Sequence, residues 1–483
     1  MLIQLSSQDA QFLYMETRRN LTHVTLVTVY DPTTVPGKKV VRYMDIVRHV
    51  QDRLAANPFM TRKLMRVPLE LDYPYWVDDE EFQIDNHMRH ARLPEPGDWR
   101  QLCIYTARYH SRGLDMSRPP WEMEVVEGLD NVPGLPQGSY AIATKVHHSA
   151  LDGAAFMRFI ASMADKDNKG TPVLPLETTT GEMGEMPSLV TMMNRAAINN
   201  ARSPIRFFGA LLRATPGLYR LAQDALKTSA HEEMTVPVTR FDQPVSSQKV
   251  FDGIHFELDD LKAIRKAAAG ATINDVVLAI CGGALRRYLE HHDDLPEESL
   301  VAWVPVNART GSETDEQTGG NNISAMTVPV FTDIGDPMAR LSSLRQATAL
   351  KKSNAGGAAK LITDISRHIA AVPQVFTSQL MVRSGMVASR CNLFVSNVPG
   401  PAETLYMNGA RAAMTFGMAP LSDGLGLFIA TPSFAGKIGF LVTSTKEILP
   451  DIRFFVECLE GSMNELKKAT AKQRGRTAAK GKG

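Results

Sequence analysis

The sequence predicts an α/β protein built from two units of similar size. At 483 residues the chain is longer than one hydrophobic core ordinarily serves, so two domains are expected. Residues 140–163 alternate as a strand does and then, after a short turn, follow helical spacing. A second set of strand and helix patterns begins after a linker at 236–247. We therefore expect an N-terminal domain over 1–170, a linker and basic helical crossover over 171–247, a C-terminal domain over 248–468 and a basic, disordered tail over 469–483.

The first elements follow from local patterns. Leu5–Glu16 is predicted to be a short helix with a Ser cap, and His23–Tyr30 a strand because of its β-branched content. A helix over 43–56 should end before Asn57-Pro58. We expect His87 and His90 to be surface or rim groups.

The turn after the strand at 140–146 carries His147, His148, Asp152 and Gly153, and we call residues 147–153 the His motif. Neighbouring side chains of an extended backbone point to opposite faces, so one histidine can face a cavity and the other the interior. An imidazole titrates near neutrality and can take a proton from an alcohol. Asp152 can fold back on the turn or pair with an Arg, while Gly153 permits a tight turn or close helix packing. The pattern favours a catalytic site over the alternative of two buried, hydrogen-bonded histidines.

Composition limits the other function classes. The net charge of +1 gives no argument for nucleic-acid binding. His-Glu-x-x-His and zinc-spaced Cys pairs do not occur in the sequence, so we expect no metal. A Gly-x-Ser-x-Gly sequence is missing too, which disfavours a covalent serine intermediate, and no Walker or dinucleotide sequence indicates a nucleotide cofactor. Four scattered cysteines favour reduced thiols and a cytoplasmic location. Neither a signal peptide nor a spanning apolar run is evident, so membrane contact should be peripheral.

Residues 189–229 combine arginines at spacings of seven and four with large apolar residues, and Asp224 is the only acid. Such a basic amphipathic segment can lie in a membrane interface or on a lipid droplet. The alternative is an interdomain helix whose arginines are solvated. Pro204 and Pro216 should break the segment into shorter helices.

The second half begins with a strand at 251–258. Thr272 should cap the next helix, with Asp275 in its first turn. A strand at 392–396 should stop at the rigid turn Asn397–Pro401, and a hairpin should join 424–431 to 438–443. The last helix should start at Pro450.

The His motif resembles the active-site signature of the CoA-dependent acyltransferase superfamily. The whole chain is similar to one branch, the bacterial wax ester synthase/acyl-CoA:diacylglycerol acyltransferase family. The shared segments are Leu5–Ala10, His23-Val24, Arg118–Glu122, His147–Gly153, Asn274–Leu289, Pro305–Arg309, Gly320–Asn322 and Ser396–Pro401. Two segments depart from the usual family pattern. Pro119-Pro120-Trp121 stands where Pro-Leu-Trp is common, and Leu21-Thr22-His23 where Pro-Met-His is common.

This resemblance implies two chloramphenicol-acetyltransferase-like domains, each a mixed sheet flanked by helices, with a channel between them. It makes His148 the general base beside His147 and gives Asp152 a structural role. His148 Nε2 would deprotonate a fatty alcohol or the hydroxyl of diacylglycerol, and that oxygen would attack the thioester of acyl-CoA. Acyl-CoA is then a substrate, and no separate cofactor is implied.

Substrate contacts are expected at Gly153, Asn274 and Asn397. Asn274 is a candidate donor to the oxyanion, against the alternative of a helix-cap residue. Asn397 is a similar candidate, against the alternative of simple turn geometry. The sequence does not separate wax ester from triacylglycerol synthesis.

Two other hypotheses remain at this stage. One is a condensation-type enzyme that uses carrier-protein thioesters. The other is a non-catalytic lipid-droplet coat protein, which the basic amphipathic segment would suit. For the acyltransferase we expect a cytoplasmic protein held peripherally at the inner membrane or at a lipid-droplet surface.

Overall fold

A computed structural model of the chain describes residues 3–38, 40–170, 186–228, 235–307, 323–350, 369–384 and 390–480. The expected linker at 171–185 and the shared segment Gly320–Asn322 lie outside these ranges. The helices are α1 (Ser7–Met15), α2 (Tyr43–Asp52), α3 (Trp99–His110), α4 (Gly153–Met163), α5 (Leu189–Thr228), α6 (Leu258–Ala267), α7 (Ile273–His291), α8 (337–350), α9 (Ala371–Ser384) and α10 (Ile452–Lys480).

Strands lie between these helices, singly or in groups. They are β1 (Ile3–Gln4), β2 (His23–Asp31), β3 (Arg62–Met65), β4 (Tyr75–Asp78), β5 (Met88–Arg92), β6 (Trp121–Leu129), β7 (Ser139–His147), β8 (Lys249–Glu257), β9 (Val301–Asn307), β10 (Ile323–Pro329), β11 (Leu393–Ser396), β12 (Tyr406–Met407), β13 (Ala410–Met418), β14 (Phe428–Ala430), β15 (Ser433–Phe434) and β16 (Lys437–Thr445). The predicted α/β class is confirmed.

The first large sheet has the strand order β12-β13-β2-β7-β6-β5. Strand β7 lies inside it, antiparallel to both β2 and β6, and places His147 opposite His23. All nine residues of β7 are buried. Apolar layers cover both of its faces, so its polar residues Ser139, Thr144, Lys145 and His147 are buried as well.

Helix α4 packs its apolar side against this sheet. The cluster that joins them contains Tyr140, Ile142, Val146, Phe156, Phe159, Ile160 and Met163. Burying each large side chain stabilises the packing by about 1.5–3 kcal/mol. The strand and the helix on either side of the His motif are therefore fixed to the same core.

Two strands of this first sheet come from the far end of the chain. Strand β13 pairs with β2, so that Met418 lies opposite Thr25, and β12 extends the edge. The predicted division into consecutive domains, with the second beginning at residue 248, did not anticipate that strands from the second half would join the first sheet. Pairing between residues this far apart leaves no local pattern, because the residue pattern of a strand does not indicate which other strand it pairs with.

The second large sheet has the order β10-β9-β11-β14-β16-β15, with β8 paired to β16. Helices α7 and α10 pack together against it. Thr272 caps α7 as predicted: its Oγ1 accepts from Asp275 N–H at 3.2 Å, and its own N–H donates to Asp275 Oδ2 at 2.7 Å. The hairpin of β14 and β16 is confirmed. The expected linker at 236–247 is in fact packed, because Phe241 is completely buried in this core.

Direct contacts join the two halves. Trp99 Nε1 on α3 donates to Asp252 Oδ1 on β8 at 2.8 Å, and its ring meets the edge of Phe416. Lys249 Nζ donates to the carbonyl oxygen of Arg19 at 3.1 Å. The N-terminal segment before β2 is thereby tied to the second sheet.

Two expectations about helices are wrong. Helix α5 continues through both Pro204 and Pro216 instead of breaking there. An internal proline removes one hydrogen bond, but the rest of a helix can hold across it. Helix α10 continues to Lys480, so residues 469–480 are helical and not disordered.

Candidate active site

His148 lies at the first position after β7, where the sheet gives way to the turn before α4. Its backbone N–H donates to the carbonyl oxygen of Thr22 at 2.9 Å. Its imidazole lies parallel to the ring of Phe12 on α1, with 4.1 Å between ring centroids and 10° between planes. The residue is partly exposed, in contrast to its fully buried neighbour His147. The imidazole therefore has a fixed orientation without being sealed from solvent.

His147 points the other way, into the protein. Its Nδ1 lies 2.6 Å from Ser149 Oγ and accepts the Ser149 backbone N–H at 3.1 Å. Its Nε2 lies 2.9 Å from Thr22 Oγ1 and 3.1 Å from Glu16 Oε2. A backbone N–H can only donate, so we assign the imidazole proton to Nε2, which faces these two oxygens. His147 thus braces the turn from inside.

Thr22 links the two histidines to α1. Its hydroxyl donates to the carbonyl oxygen of Phe12 at 2.9 Å and accepts from His147 Nε2. The same residue holds the His148 backbone through its carbonyl oxygen. The position where the family pattern usually has Met therefore carries a hydroxyl that this chain uses at the His motif.

Asp152 and Gly153 start α4. Asp152 Oδ1 accepts the Ala155 backbone N–H at 2.6 Å, which makes Asp152 the N-cap of the helix. A Cβ placed on Gly153 would lie 3.8 Å from Val398 Cγ2, an ordinary contact. Gly153 therefore lies beside the turn that follows β11.

That turn, residues Asn397–Pro401, brings the second half of the chain to the His motif. Val398 packs into the core of the first sheet, and Pro399 forms a bridge with Ser433. A Cβ on Gly400 would overlap the carbonyl oxygen of Ser433 and lie 2.9 Å from Met157 Cε on α4. Only glycine allows this close approach. Asn397 is thus held next to the elements that carry the His motif.

Asn274 is the second residue of α7 and is partly buried. The start of α7 is fixed by the Thr272–Asp275 capping box and by a hydrogen bond of 2.7 Å from Thr348 Oγ1 to Asp275 Oδ1. A role for Asn274 toward the oxyanion stays a prediction.

Buried charge supports the sheet beneath the motif. Lys145, two residues before His147, is completely buried and contacts Glu122 Oε1 at 2.5 Å. Its Nζ also donates to the carbonyl oxygens of Tyr109 and Arg112. Burial lowers the pKa of Lys145, and Glu122 opposes that shift. Burial also lowers the pKa of His110 to about 3, so that imidazole is neutral at physiological pH.

Other candidate groups are less suited to chemistry. His87 is buried rather than at the surface, with its Nδ1 2.8 Å from the carbonyl oxygen of Trp121, and burial lowers its pKa. His90 is exposed as expected and stacks on Tyr43. Burial raises the pKa of every cysteine thiol, which disfavours a thiolate nucleophile: this holds for Cys103, Cys281, Cys391 and Cys458.

Within the described ranges, no group of three or more His, Cys, Asp or Glu side chains is arranged to hold a metal ion. To cross a bilayer, a helix would have to be longer or more apolar than any in the parts of the chain that the structure describes.

Comparison with known sequences points to one family. The model of the wax ester synthase/diacylglycerol acyltransferase catalytic domain matches residues 5–277, and the model of the WS/DGAT C-terminal domain matches residues 319–467. The O-acyltransferase WSD of Acinetobacter baylyi is 30% identical over 474 residues, which cover 96% of this chain and 97% of that protein.

Solved structures share the fold. The wax ester synthase/diacylglycerol acyltransferase from Marinobacter aquaeolei VT8 is similar with a TM-score of 0.68 and 24% identity, over 97% of this chain and 100% of that chain. A starter condensation domain of rhizomide synthetase, in complex with C8-CoA, is similar with a TM-score of 0.56 and 12% identity, over 96% of this chain and 95% of that chain. The predicted fold of two acyltransferase-like domains is confirmed.

Proposed function

The chain belongs to the wax ester synthase/diacylglycerol acyltransferase family and is an O-acyltransferase, and we propose that His148 is the general base of its reaction. The reaction moves a fatty acyl group from acyl-CoA to the hydroxyl of a fatty alcohol or of diacylglycerol. We propose a long-chain acyl group and an acceptor that reaches the base through a channel between the two domains.

One observation carries the assignment of the base. His148 is partly exposed, while its backbone is held by Thr22 and its ring by Phe12. The neighbouring His147 is occupied on both ring nitrogens by protein groups. A general base must reach the proton that it removes, and of these two histidines only His148 is partly exposed to solvent.

The reaction then proceeds by direct transfer. His148 Nε2 takes the hydroxyl proton of the acceptor while the acceptor oxygen attacks the thioester carbonyl carbon. The tetrahedral intermediate collapses, the carbon–sulfur bond breaks, and coenzyme A leaves with the proton that the imidazolium returns. The products are the ester and free coenzyme A, and the imidazole is neutral again.

His147 and Asp152 support this base without touching the reactants. His147 fixes the turn through Ser149, Thr22 and Glu16, and Asp152 fixes the start of α4. We propose that Asn397 and Gly153 line the reacting groups, since the turn at 397–401 packs against α4. Asn274 is proposed as a donor to the oxyanion from the second half of the chain.

We also propose that the enzyme works at a lipid surface. Helix α5 exposes large apolar side chains together with Arg195, Arg202 and Arg206. A helix of this composition can lie in a membrane interface. The enzyme would then be a cytoplasmic, peripheral protein of the inner membrane or of a lipid droplet.

The decisive experiment supplies the purified full-length protein with palmitoyl-CoA and either hexadecanol or a diacylglycerol. Both esters and free thiol are quantified. We expect the ester and the thiol in equal amounts, and we expect His148→Gln to reduce the rate by about 10²–10⁴-fold, the usual contribution of a general base. His90→Gln, at an exposed histidine, is the matched control and should keep the wild-type rate.

Each rival function predicts a different result. A lipid-droplet coat protein would form neither ester. A condensation-type enzyme would be active only with a carrier-protein thioester as the donor. A His148→Gln variant that kept the full rate would remove this residue from the mechanism.

A further inference from the structure

Helix α9 buries the polar residues Gln374 and Ser378 beside Ala371 and Val375, and it exposes its larger apolar side chains. Gln374 and Ser378 are only 7% and 3% exposed, whereas Phe376 is 69% exposed. Val372 and Leu380, four residues on either side of Phe376, are exposed as well. This spacing places the three apolar side chains on one face of the helix. An ordinary surface helix exposes mainly polar side chains, so this face suits an apolar partner.

Specific polar contacts hold α9 in this orientation. Gln374 Nε2 donates to the carbonyl oxygen of Ser7 on α1, and Gln374 Oε1 accepts from the hydroxyl of Tyr73. The same hydroxyl lies 2.8 Å from the carbonyl oxygen of Ile369. The outward position of Phe376 therefore follows from hydrogen bonds on the opposite side of the helix.

Helix α5 contacts the other side of the segment that carries Tyr73. Asn199 Nδ2 donates to Asp72 Oδ2, and Asn200 Nδ2 donates to the carbonyl oxygen of Leu71, both at 2.7 Å. Among the side chains of α5 that the structure describes, the exposed large apolar residues are Leu189, Val190, Met193, Ile198, Ile205, Phe208 and Leu212. Residues 71–73 thus connect two helices that both present apolar side chains to solvent.

The chain turns at Leu69, just before residues 71–73, and Leu69 is 86% exposed. Leu69 and Glu70 have φ angles of 55° and 53°, a region that is costly for side chains other than glycine. Helix α9 contacts this turn. A single exposed leucine is common, but here it adds to the apolar faces of two adjacent helices.

We propose that the exposed face of α9, the Leu69 turn and the exposed face of α5 form one docking surface for an anionic phospholipid membrane. We call it the lipid-docking surface. The proposal extends the proposed function, because it names the surface from which the lipid acceptor enters. Helix α9 packs directly on α1, and α1 carries the Phe12 ring that stacks on His148. The membrane would lie one helix layer from the base.

Charge favours a membrane over a second copy of the chain. The exposed charges on α5 include Arg195, Arg202 and Arg206, and Asp224 is the only acid in the helix. Two such faces would repel each other, whereas anionic phospholipids attract each arginine. Each apolar side chain that enters the lipid strengthens the binding in proportion to its buried CH₂ groups.

The test is vesicle co-sedimentation of the full-length protein. One set of vesicles contains phosphatidylcholine alone, and a second set also contains phosphatidylglycerol. We expect stronger binding to the second set. Replacing Leu69→Ser and Phe376→Ser together should weaken that binding by about a hundredfold, because each lost side chain weakens it by about tenfold. Val238→Ser, at a residue that is 85% exposed elsewhere on the surface, is the matched control and should bind as the wild type does.

A second variant tests the electrostatic part. Arg202→Glu with Arg206→Glu should remove the preference for phosphatidylglycerol and leave the circular dichroism spectrum unchanged. Acyl transfer to a short-chain alcohol in free solution should keep its wild-type rate in all these variants, since the docking surface does not touch the reacting groups.

The outcomes separate this inference from the proposed function. A wild-type protein that forms esters but binds neither kind of vesicle overturns the lipid-docking surface and leaves the acyltransferase intact. A protein that binds vesicles but forms no ester overturns the proposed function. A dimer in size-exclusion chromatography that dissociates in the Leu69→Ser/Phe376→Ser variant would assign the surface to a second copy instead.

Discussion

The imidazole of His148 and the phenyl ring of Phe12 stack face to face although 135 residues separate them in the sequence. The stack connects α1, at the beginning of the chain, to the turn that carries the proposed base. A stacked aromatic pair contributes about 0.5–1.5 kcal/mol beyond its buried area. The orientation of the base therefore depends on a helix that contributes no titratable group to the reaction itself.

Replacing Phe12→Leu should lower kcat by about two- to tenfold, which corresponds to the free energy of the stack. Leucine fills most of the space but cannot hold the imidazole plane. The measurement is steady-state kinetics with acyl-CoA and a soluble alcohol. Phe12→Tyr keeps the ring and should retain nearly the wild-type kcat. Equal kcat values for wild type and Phe12→Leu would show that the stack does not orient the base.

Replacing Thr22→Val should destabilise the protein by about 1–3 kcal/mol, because it removes the acceptor of a buried N–H group. His147 Nε2 would then keep only Glu16 as its partner. Urea unfolding measures the loss, and Thr22→Ser should restore stability since it returns the hydroxyl. Wild-type stability in Thr22→Val would mean that the hydroxyl does not brace His147.

Replacing Asp152→Ala should cost about 1 kcal/mol of stability through the lost N-cap. Asp152→Ser supplies another capping oxygen and should recover both stability and activity. The comparison uses thermal unfolding and the ester assay in parallel. If the serine variant were stable but inactive, Asp152 would have a role in the reaction beyond capping α4.

Replacing Gly400→Ala should displace the turn at 397–401, because the added Cβ would overlap the backbone at Ser433. Overpacking of this kind costs about 1–3 kcal/mol, and we expect a large loss of activity as well. Gly153→Ala is the matched control, since its Cβ would only touch Val398. It should fold as stably as the wild type, so any loss of its activity would report a substrate contact at Gly153.

The contribution of Lys249 to the stability of the protein should rise between pH 8 and pH 10. Burial lowers the pKa of this amine to about 8, while Asp423 and Glu447 oppose the shift. Between about 8 and the unfolded value of about 10.5, the unfolded chain holds a proton that the folded chain has released. At this site the unfolded state thus binds more protons in this window, and the contribution of Lys249 to the free energy of unfolding increases with pH by about 2 kcal/mol.

Lys249→Met isolates this effect. The variant lacks the titrating group, so the difference in unfolding free energy between wild type and variant should change with pH across the window. Urea unfolding at pH 7.5 and pH 10 measures that difference. A difference that is the same at both pH values would contradict a lowered pKa for Lys249.

The parts that the sequence predicts well are those with a local cause. The change from strand to helical periodicity around His147 and His148 predicts the turn and its position. The cap formed by Thr272 and Asp275 is visible because both residues of the box lie within one helical turn.

The features that the sequence does not predict depend on contacts between residues that are far apart in the chain. Phe12, Glu16 and Thr22 reach the His motif only through tertiary folding, and no spacing in the sequence connects them to residue 147. Phe12 fits the apolar stripe of α1 equally well whether it packs in a core or stacks on an imidazole. The start of helix α5 packs Met192 and Ala196 into a cluster with Tyr75, a tertiary contact that propensity alone does not include.

The pairing of β13 with β2 has a consequence for how the protein is made. When residues 1–170 have left the ribosome, His147 and His148 are already outside it. Strand β2 then still lacks its neighbour β13, at residues 410–418. The hydrogen-bonding edge of β2 stays open during most of synthesis and offers a template for wrong pairing. Expression of the first half alone should therefore yield aggregates, and productive folding of this sheet should wait until translation is almost complete.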